Sequence, residues 1–295
     1  MQVFFETLMD GVNLGSVYAL VALGYTMVYG IAKMLNFAHG DIIMVGGYAI
    51  FLTFIQFNLS LPLIFIISVG FCALLGFTIE KLAYKPLRKA SSLSVLITAI
   101  GVSVLLENLA LLIFKSRIKT VTGLLELPNV TIGSITISGV SILIWIVTIT
   151  VMVLLSLFIK KTKMGRAMLA VSEDKGAAEL MGVNVNRTIS VTFIIGSALA
   201  GVASFLYIAK YKSIEPYTGA LFGIKAFAAA VFGGIGSIPG AMIGGILIGL
   251  IESFAVQYLP QSLSPAADGF AFVILIIMLV LKPSGLFGKN TVEKV

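Results

Sequence analysis

A chain of 295 residues that is 59% hydrophobic, only 11% charged and of mean hydropathy +1.08 exceeds what a soluble core of this size requires and falls in the polytopic membrane class. Its net charge of +7 does not point to nucleic acid, because the Lys and Arg residues collect in short connections between apolar runs, where the cytoplasmic bias of cations accounts for them. The single cysteine, Cys72, lies in an apolar run and excludes an internal disulfide or a thiol metal site.

Apolar runs occupy residues 12–34, 42–57, 61–79, 93–114, 139–159, 190–209, 221–232, 241–255 and 269–281. Crossing roughly 30 Å of hydrocarbon takes about 20 residues of helix. The runs therefore predict an all-α membrane bundle of about eight to ten segments, some broken or re-entrant, and not a barrel. "MQVFFETLMDG" has no basic start and carries Glu6 and Asp10, so the first helix is expected to be retained rather than cleaved. No linker or low-complexity tract interrupts the chain, and residues 1–295 read as one transmembrane domain.

Between the first two runs, "NFAHGD" (36–41) holds Asn36, Asp41 and the only histidine, His39. The run that follows is 16 residues long, about 24 Å of helix, and run 221–232 has 12, about 18 Å. Neither spans comfortably, so the breaks beside them, "NFAHGD" and "GGIGSIPG" (233–240), are candidates for backbone held within the membrane's depth. "IIMVGGYAI" (42–50) and "GAMIGGILI" (240–248) also align without gaps; short, interrupted segments in matching halves are a pointer to a transport path. The pathway candidates are Asn36, His39, Asp41, Gly234, Gly236, Ser237, Pro239 and, inside "SVLLENLALLIF", Glu107. The simpler alternatives are an interfacial turn with Asp41 as a helix cap, and an interhelical hydrogen bond for Glu107. Glu252 lies toward the outer end of its helix and is expected to reach water. The fourfold spacing of Gly236, Gly240 and Gly244, and of Gly245 and Gly249, predicts ridges for close helix packing.

The strongly basic connections, 80–92 and 160–188, belong in the cytoplasm. Nine spans place the N-terminus outside and 14 of the 20 Lys and Arg residues inside, leaving Lys115, Arg117, Lys119, Lys210, Lys212 and Lys225 as exceptions. The outer stretch 122–139 alternates apolar and β-branched residues with Gly and Asn, and is expected to be an ordered loop, with a small hairpin or extended flap as the alternative. "SEDKGAAELMG" (172–182) reads as one short cytoplasmic helix: Ser172 caps it, Glu173 and Asp174 suit its positive end, Ala177, Ala178, Leu180 and Met181 form an apolar patch, and Gly182 ends it. Such a helix fits a partner protein, or lies on lipid headgroups.

The chain has no G-x-x-x-x-G-K-[ST], no H-E-x-x-H and no G-x-S-x-G, so an enzyme reading has little support, and any ATP used is bound elsewhere.

"GAAELMG" (176–182) resembles the E-A-A-x-x-x-G coupling motif of ABC importer permeases, with Gly176 where that family often has Glu. The longer stretches "NLGSVYALVALGYTMVYGIAKMLNFAHGDIIMVGGY", "MGRAMLAVSEDKGAAELMGVNVNRTISVTFIIGSALAGVAS", "GIKAFAAAVFGGIGSIPGAMIGG" and "KPSGLFG" are similar to the LivH-type permease of branched-chain amino acid ABC importers. That resemblance implies a multi-pass transport subunit of the cell inner membrane, not an enzyme, that binds no cofactor itself. It also implies a LivM-like second permease, two cytoplasmic LivG/LivF-like ATPases that use ATP–Mg, and an extracytoplasmic substrate-binding protein that delivers Leu, Ile or Val. Carried over by position, Glu173, Asp174, Ala177, Ala178, Gly182, Val183 and Asn184 form the ATPase-coupling surface. Other amino acids, urea or amides remain alternative cargoes, and an ion-coupled secondary transporter is the alternative mechanism.

Overall fold

The computed structural model describes residues 2–88, 90–132, 135–260, 263 and 266–288. Lys89, Lys289 and Lys294, counted above among the cytoplasmic cations, and Gly133 and Ser134 of the outer stretch lie outside the described residues.

Taken in chain order, α1 is Gln2–Ala32; α2 is His39–Phe51, continued by a π-helical turn at Leu52–Gln56; and α3 is Leu61–Ile79, continued by another at Glu80–Tyr84. Next come α4 (Ser92–Phe114), β1 (Lys119–Thr120), the hairpin β2 (Val130–Ile132) and β3 (Ile135–Ile137), and α5 (Gly139–Lys161). On the far side of α5 lie two short helices, α6 (Lys163–Glu173) and α7 (Lys175–Leu180). The chain continues through α8 (Val185–Tyr211), β4 (Ser213–Ile214), α9 (Thr218–Gly233), α10 (Ile238–Tyr258) and α11 (Ala267–Leu281). Among the described residues seven helices are long and apolar enough to cross a membrane, and α9 and α11 are shorter apolar helices. Together they coincide with the nine apolar runs.

The helix ends sort onto two sides. Lys175 of α7 reaches the last residue of α1, Arg88 after α3 reaches Asn186 at the start of α8, and Gly30 approaches Gly236 between α9 and α10. Leu286 and Phe287, just past α11, bond to Phe232 and Gly233 at the end of α9. This side carries the basic connections, so it is cytoplasmic.

At the centre lies α1, whose small residues let neighbours approach: a Cβ on Gly15 would fall 2.6 Å from the Ile246 Cα. The two predicted glycine series face different neighbours. Gly245 and Gly249 press on α1 at Ala19 and Gly15, and Gly240 and Gly244 press on α9 at Gly233 and Ala229. In hydrocarbon the tight fit itself drives association, which is why small residues sit at these contacts.

Outside, Lys119 pairs with Ile214 and Thr120 with Ser213, so two distant stretches are stitched together. The β-branched alternation of the outer stretch forms the hairpin, Val130 opposite Ile137, rather than a plain loop.

Two expectations are corrected. The cytoplasmic helix is not one element over 172–182: Asp174 takes an extended conformation and breaks the chain into α6 and α7. Ser172 is not the cap, since its hydroxyl donates back to the Leu169 carbonyl, while the Asp174 carboxylate accepts from the Ala177 N–H at 2.9 Å. The 233–240 break is not re-entrant either. Gly234 and Gly236 adopt positive φ (101° and 92°) in a turn at the cytoplasmic end, Ser237 caps α10 through the Gly240 N–H, and Pro239 occupies its first turn. The shortness of α9 is taken up at its other end.

Candidate translocation and coupling sites

After Ala32 the chain turns through Lys33, at φ 57°, and runs back into the bundle before α2 begins. The His39 ring lies where a Cβ on Gly24 would collide with it, and Gly24 is eight residues, about 12 Å, above the end of α1. A Cβ on Gly40 would likewise collide with Gly219 and Gly223 of α9, and Gly223 stands ten residues, about 15 Å, from the end of that helix at Gly233. Residues 36–41 are therefore not a surface turn. The N-termini of α2 and α9 meet near the middle of the membrane, and only glycine lets the two backbones touch there.

Polar groups converge on this junction. Asn36, His39 and Asp41 are 2%, 1% and 0% exposed. The Tyr84 hydroxyl donates to Asn36 Oδ1 at 2.8 Å, Tyr25 packs edge-on against His39 at 4.9 Å, and the Ser103 hydroxyl of α4 donates to Asp41 Oδ2. Glu107, one helical turn beyond Ser103 and half-buried, lies within electrostatic reach of Asp41. The Tyr25 hydroxyl, Asn36 Nδ2, both His39 ring nitrogens and Asp41 Oδ1 have no hydrogen-bond partner among the described residues. Leaving a buried polar group unpaired costs about 1–3 kcal/mol, so this cluster is poised to take water or a polar ligand. The four candidates at the α9–α10 turn, Gly234, Gly236, Ser237 and Pro239, stand apart from it at the cytoplasmic end.

A second polar cluster sits toward the outer side. Lys225 of α9 bridges Glu252 of α10 and Asp268 of α11, both at 2.8 Å, and the Tyr18 hydroxyl of α1 donates to Glu252 at 2.9 Å. Glu252 is thus engaged inside the bundle rather than by water, at 9% exposure. One cation between two carboxylates ties four helices together.

On the cytoplasmic face, Asp174 caps α7 and Gly182, at φ 82°, ends it with paired bonds: the Val183 N–H to Ala178 and the Gly182 N–H to Glu179, both at 2.9 Å. Asn184 at once caps α8 by accepting from the Arg187 N–H at 2.9 Å. No slack separates α7 from a 27-residue helix of the bundle. Ala178 is buried beneath α7, Ala177 and Glu173 are exposed, and Leu180 and Met181 project at 90% and 84% exposure. Two large apolar side chains thus project from a rigid support on the cytoplasmic face.

Residues 7–281 match the family described as branched-chain amino acid transport system, permease component. The chain belongs to this family. The permease is 43% identical, over 99% of its length and 98% of the relative's, to the high-affinity branched-chain amino acid transport system permease protein BraD of Pseudomonas aeruginosa. It is 41% identical, with the same coverage, to the corresponding protein LivH of Escherichia coli K12. Among solved structures it resembles PsaBC from Streptococcus pneumoniae in complex with Fab, at a TM-score of 0.50 and 16% identity, covering 96% of this chain and 94% of that one; this likeness concerns the fold alone. The permease is a multi-pass protein of the inner membrane and a transport subunit.

Sequence reasoning missed Tyr25, Tyr84, Ser103, Tyr18 and Asp268 in these clusters. Tyr25 and Tyr18 carried no signal, because aromatic residues in a membrane helix are ordinary. Asp268 is the one that charge within an apolar run exposes, yet it falls one residue before the run that begins at 269.

Proposed function

We propose that this chain is the LivH-type permease subunit of an ABC importer that carries branched-chain amino acids into the cytoplasm, acting as one transmembrane domain over residues 1–295. Its membership of the family along nearly the whole chain is the observation that carries this reading. In it, a LivM-like second permease completes the channel, two ATPases bind ATP–Mg, and this chain binds no cofactor. Leu180 and Met181 enter a groove on one ATPase. Glu173, Asp174, Ala177 and Ala178 shape that contact, while Gly182, Val183 and Asn184 pass its motion to α8. Two of the outer cations that break the positive-inside bias, Lys119 and Lys212, are drawn together by the pairing of β1 with β4, and they offer a basic rim to an acidic receptor surface, while Lys210 is paired with Asp10.

Asn36, His39, Asp41 and Glu107 line the path in this reading. A branched-chain amino acid has two charged ends and an apolar tail. The N-terminal ends of α2 and α9 suit its carboxylate, Asp41 or Glu107 suits its ammonium, and Tyr25, Phe37 and Phe227 offer apolar walls. Gly234, Gly236, Ser237 and Pro239 shape the cytoplasmic exit.

The test is uptake of labelled leucine into proteoliposomes holding both permeases and both ATPases, with receptor and ATP on their proper sides. Uptake that needs the receptor and ATP, and that unlabelled isoleucine and valine suppress, supports the proposal. Uptake by the lone chain under an ion gradient would refute it, and suppression by urea or amides alone would reassign the cargo.

A further inference from the structure

Between the cytoplasmic ends of α1 and α4 lies a cavity of about 480 Å³. Its wall carries Lys33, Arg88 and Lys175 and, among the described residues, no carboxylate. The first turn of α4, at Ser92 and Leu93, adds the positive end of a 23-residue helix to the same wall. Glu80 already neutralises Arg88, but Lys33 and Lys175 have no carboxylate partner among the described residues, and like charges around one space favour an anion there. Burial, then the nearness of Lys33 and Arg88, pushes the Lys175 ammonium below its ordinary pKa. The donors are only partly used. Arg88 spends its two terminal nitrogens on Glu80 and Asn186, yet its buried Nε has no partner among the described residues. Lys175 spends one donor on Ala32 and keeps two.

We propose that this cavity is a phosphate-binding site, filled by the headgroup of an anionic phospholipid of the inner leaflet or by free phosphate. The apolar part of the wall suits the lipid source: Leu93 is 63% exposed where α4 enters the hydrocarbon, and Leu96 lies one turn deeper. An occupant bridges the end of α1, the start of α4 and the first turn of α7, and so braces the coupling helix from behind.

The experiment uses the complex with its partner subunits in phosphatidylcholine nanodiscs, in two arms. One adds phosphatidylglycerol, with retained lipid read by native mass spectrometry; the other titrates radiolabelled inorganic phosphate. Lys33→Asn removes a charge while keeping a residue that accepts the left-handed backbone, Lys33→Arg restores the charge, and Lys160→Gln neutralises a cation on the same face outside the cavity. Saturable binding in either arm, weakened roughly tenfold by Lys33→Asn, regained by Lys33→Arg and unmoved by Lys160→Gln, supports the site, and the arm that saturates names the source. No saturable binding in either arm, or equal weakening by Lys160→Gln, overturns it. Unchanged binding with lost ATPase co-purification in Lys33→Asn also overturns it and assigns these cations to acidic residues of a protein partner. Each readout is binding, so it stands whether or not the leucine uptake assay succeeds.

Discussion

The Lys175 ammonium donates to the Ala32 carbonyl at 2.7 Å, joining the first turn of α7 to the last turn of α1. A cation at a helix C-terminus satisfies an orphan carbonyl and complements the helix dipole, together worth about 1 kcal/mol. In the importer we propose, this bond carries a push on α7 directly to the central helix. Lys175→Met is expected to leave ATPase co-purification intact and to lower leucine transported per ATP hydrolysed by roughly fivefold, in keeping with an interaction of that size. Parallel assays of uptake and hydrolysis check it; an unchanged ratio would remove Lys175 from the coupling route.

Gly182 takes a conformation that β-branched side chains resist. Gly182→Val is expected to cost about 1–2 kcal/mol locally, tilt Leu180 and Met181, and reduce both co-purified ATPase and uptake. Gly182→Asn, which tolerates the same backbone, is expected to retain most of both. Similar losses in the two variants would show that backbone geometry is not what Gly182 supplies.

At the mid-membrane junction, Gly40→Ala forces a methyl group into the α9 backbone. The expected result is a loss of about 1–3 kcal/mol, read as a lower melting temperature in detergent. Asp41→Asn keeps the shape and removes the charge, so it is expected to leave the melting temperature within a few degrees while uptake falls at least roughly tenfold. Normal uptake by Asp41→Asn would take the carboxylate out of the pathway.

Lys225 supports the outer cluster by neutralising two carboxylates. Lys225→Met strands Glu252 and Asp268 and is expected to destabilise the bundle by about 3–5 kcal/mol. The triple variant Lys225→Met, Glu252→Gln, Asp268→Asn is expected to recover much of that loss, because no charge remains unpaired. If it is no more stable than the single variant, the salt bridges are not the source of the effect.

Much of this fold was legible in the sequence because hydrocarbon imposes a harsh rule: each crossing must be helical and apolar, so nine runs gave nine helices. Length alone marked runs 42–57 and 221–232 as short of a comfortable crossing, although α2 with its π-helical turn reaches 18 residues. It did not say which end falls short, and there the two cases parted. "NFAHGD" precedes its short helix and lies inside, whereas "GGIGSIPG" follows its own and lies at the surface. Depth is set by contacts between distant residues, such as His39 with Gly24, that local composition does not record. A short helix before Gly182 was legible, but its start and its cap were not, because Ser172 and Asp174 are both good caps and the choice falls to which of them the preceding helix α6 has already absorbed.

One contact of the last described residues bears on how the protein is made. Leu286 and Phe287 donate to the Phe232 and Gly233 carbonyls, closing the end of a helix that was synthesised some fifty residues earlier. A chain interrupted after α11 would hold every membrane helix described here, yet leave the α9–α10 turn unsealed. The segment after α11 thus adds to the bundle a contact that the membrane helices alone do not supply.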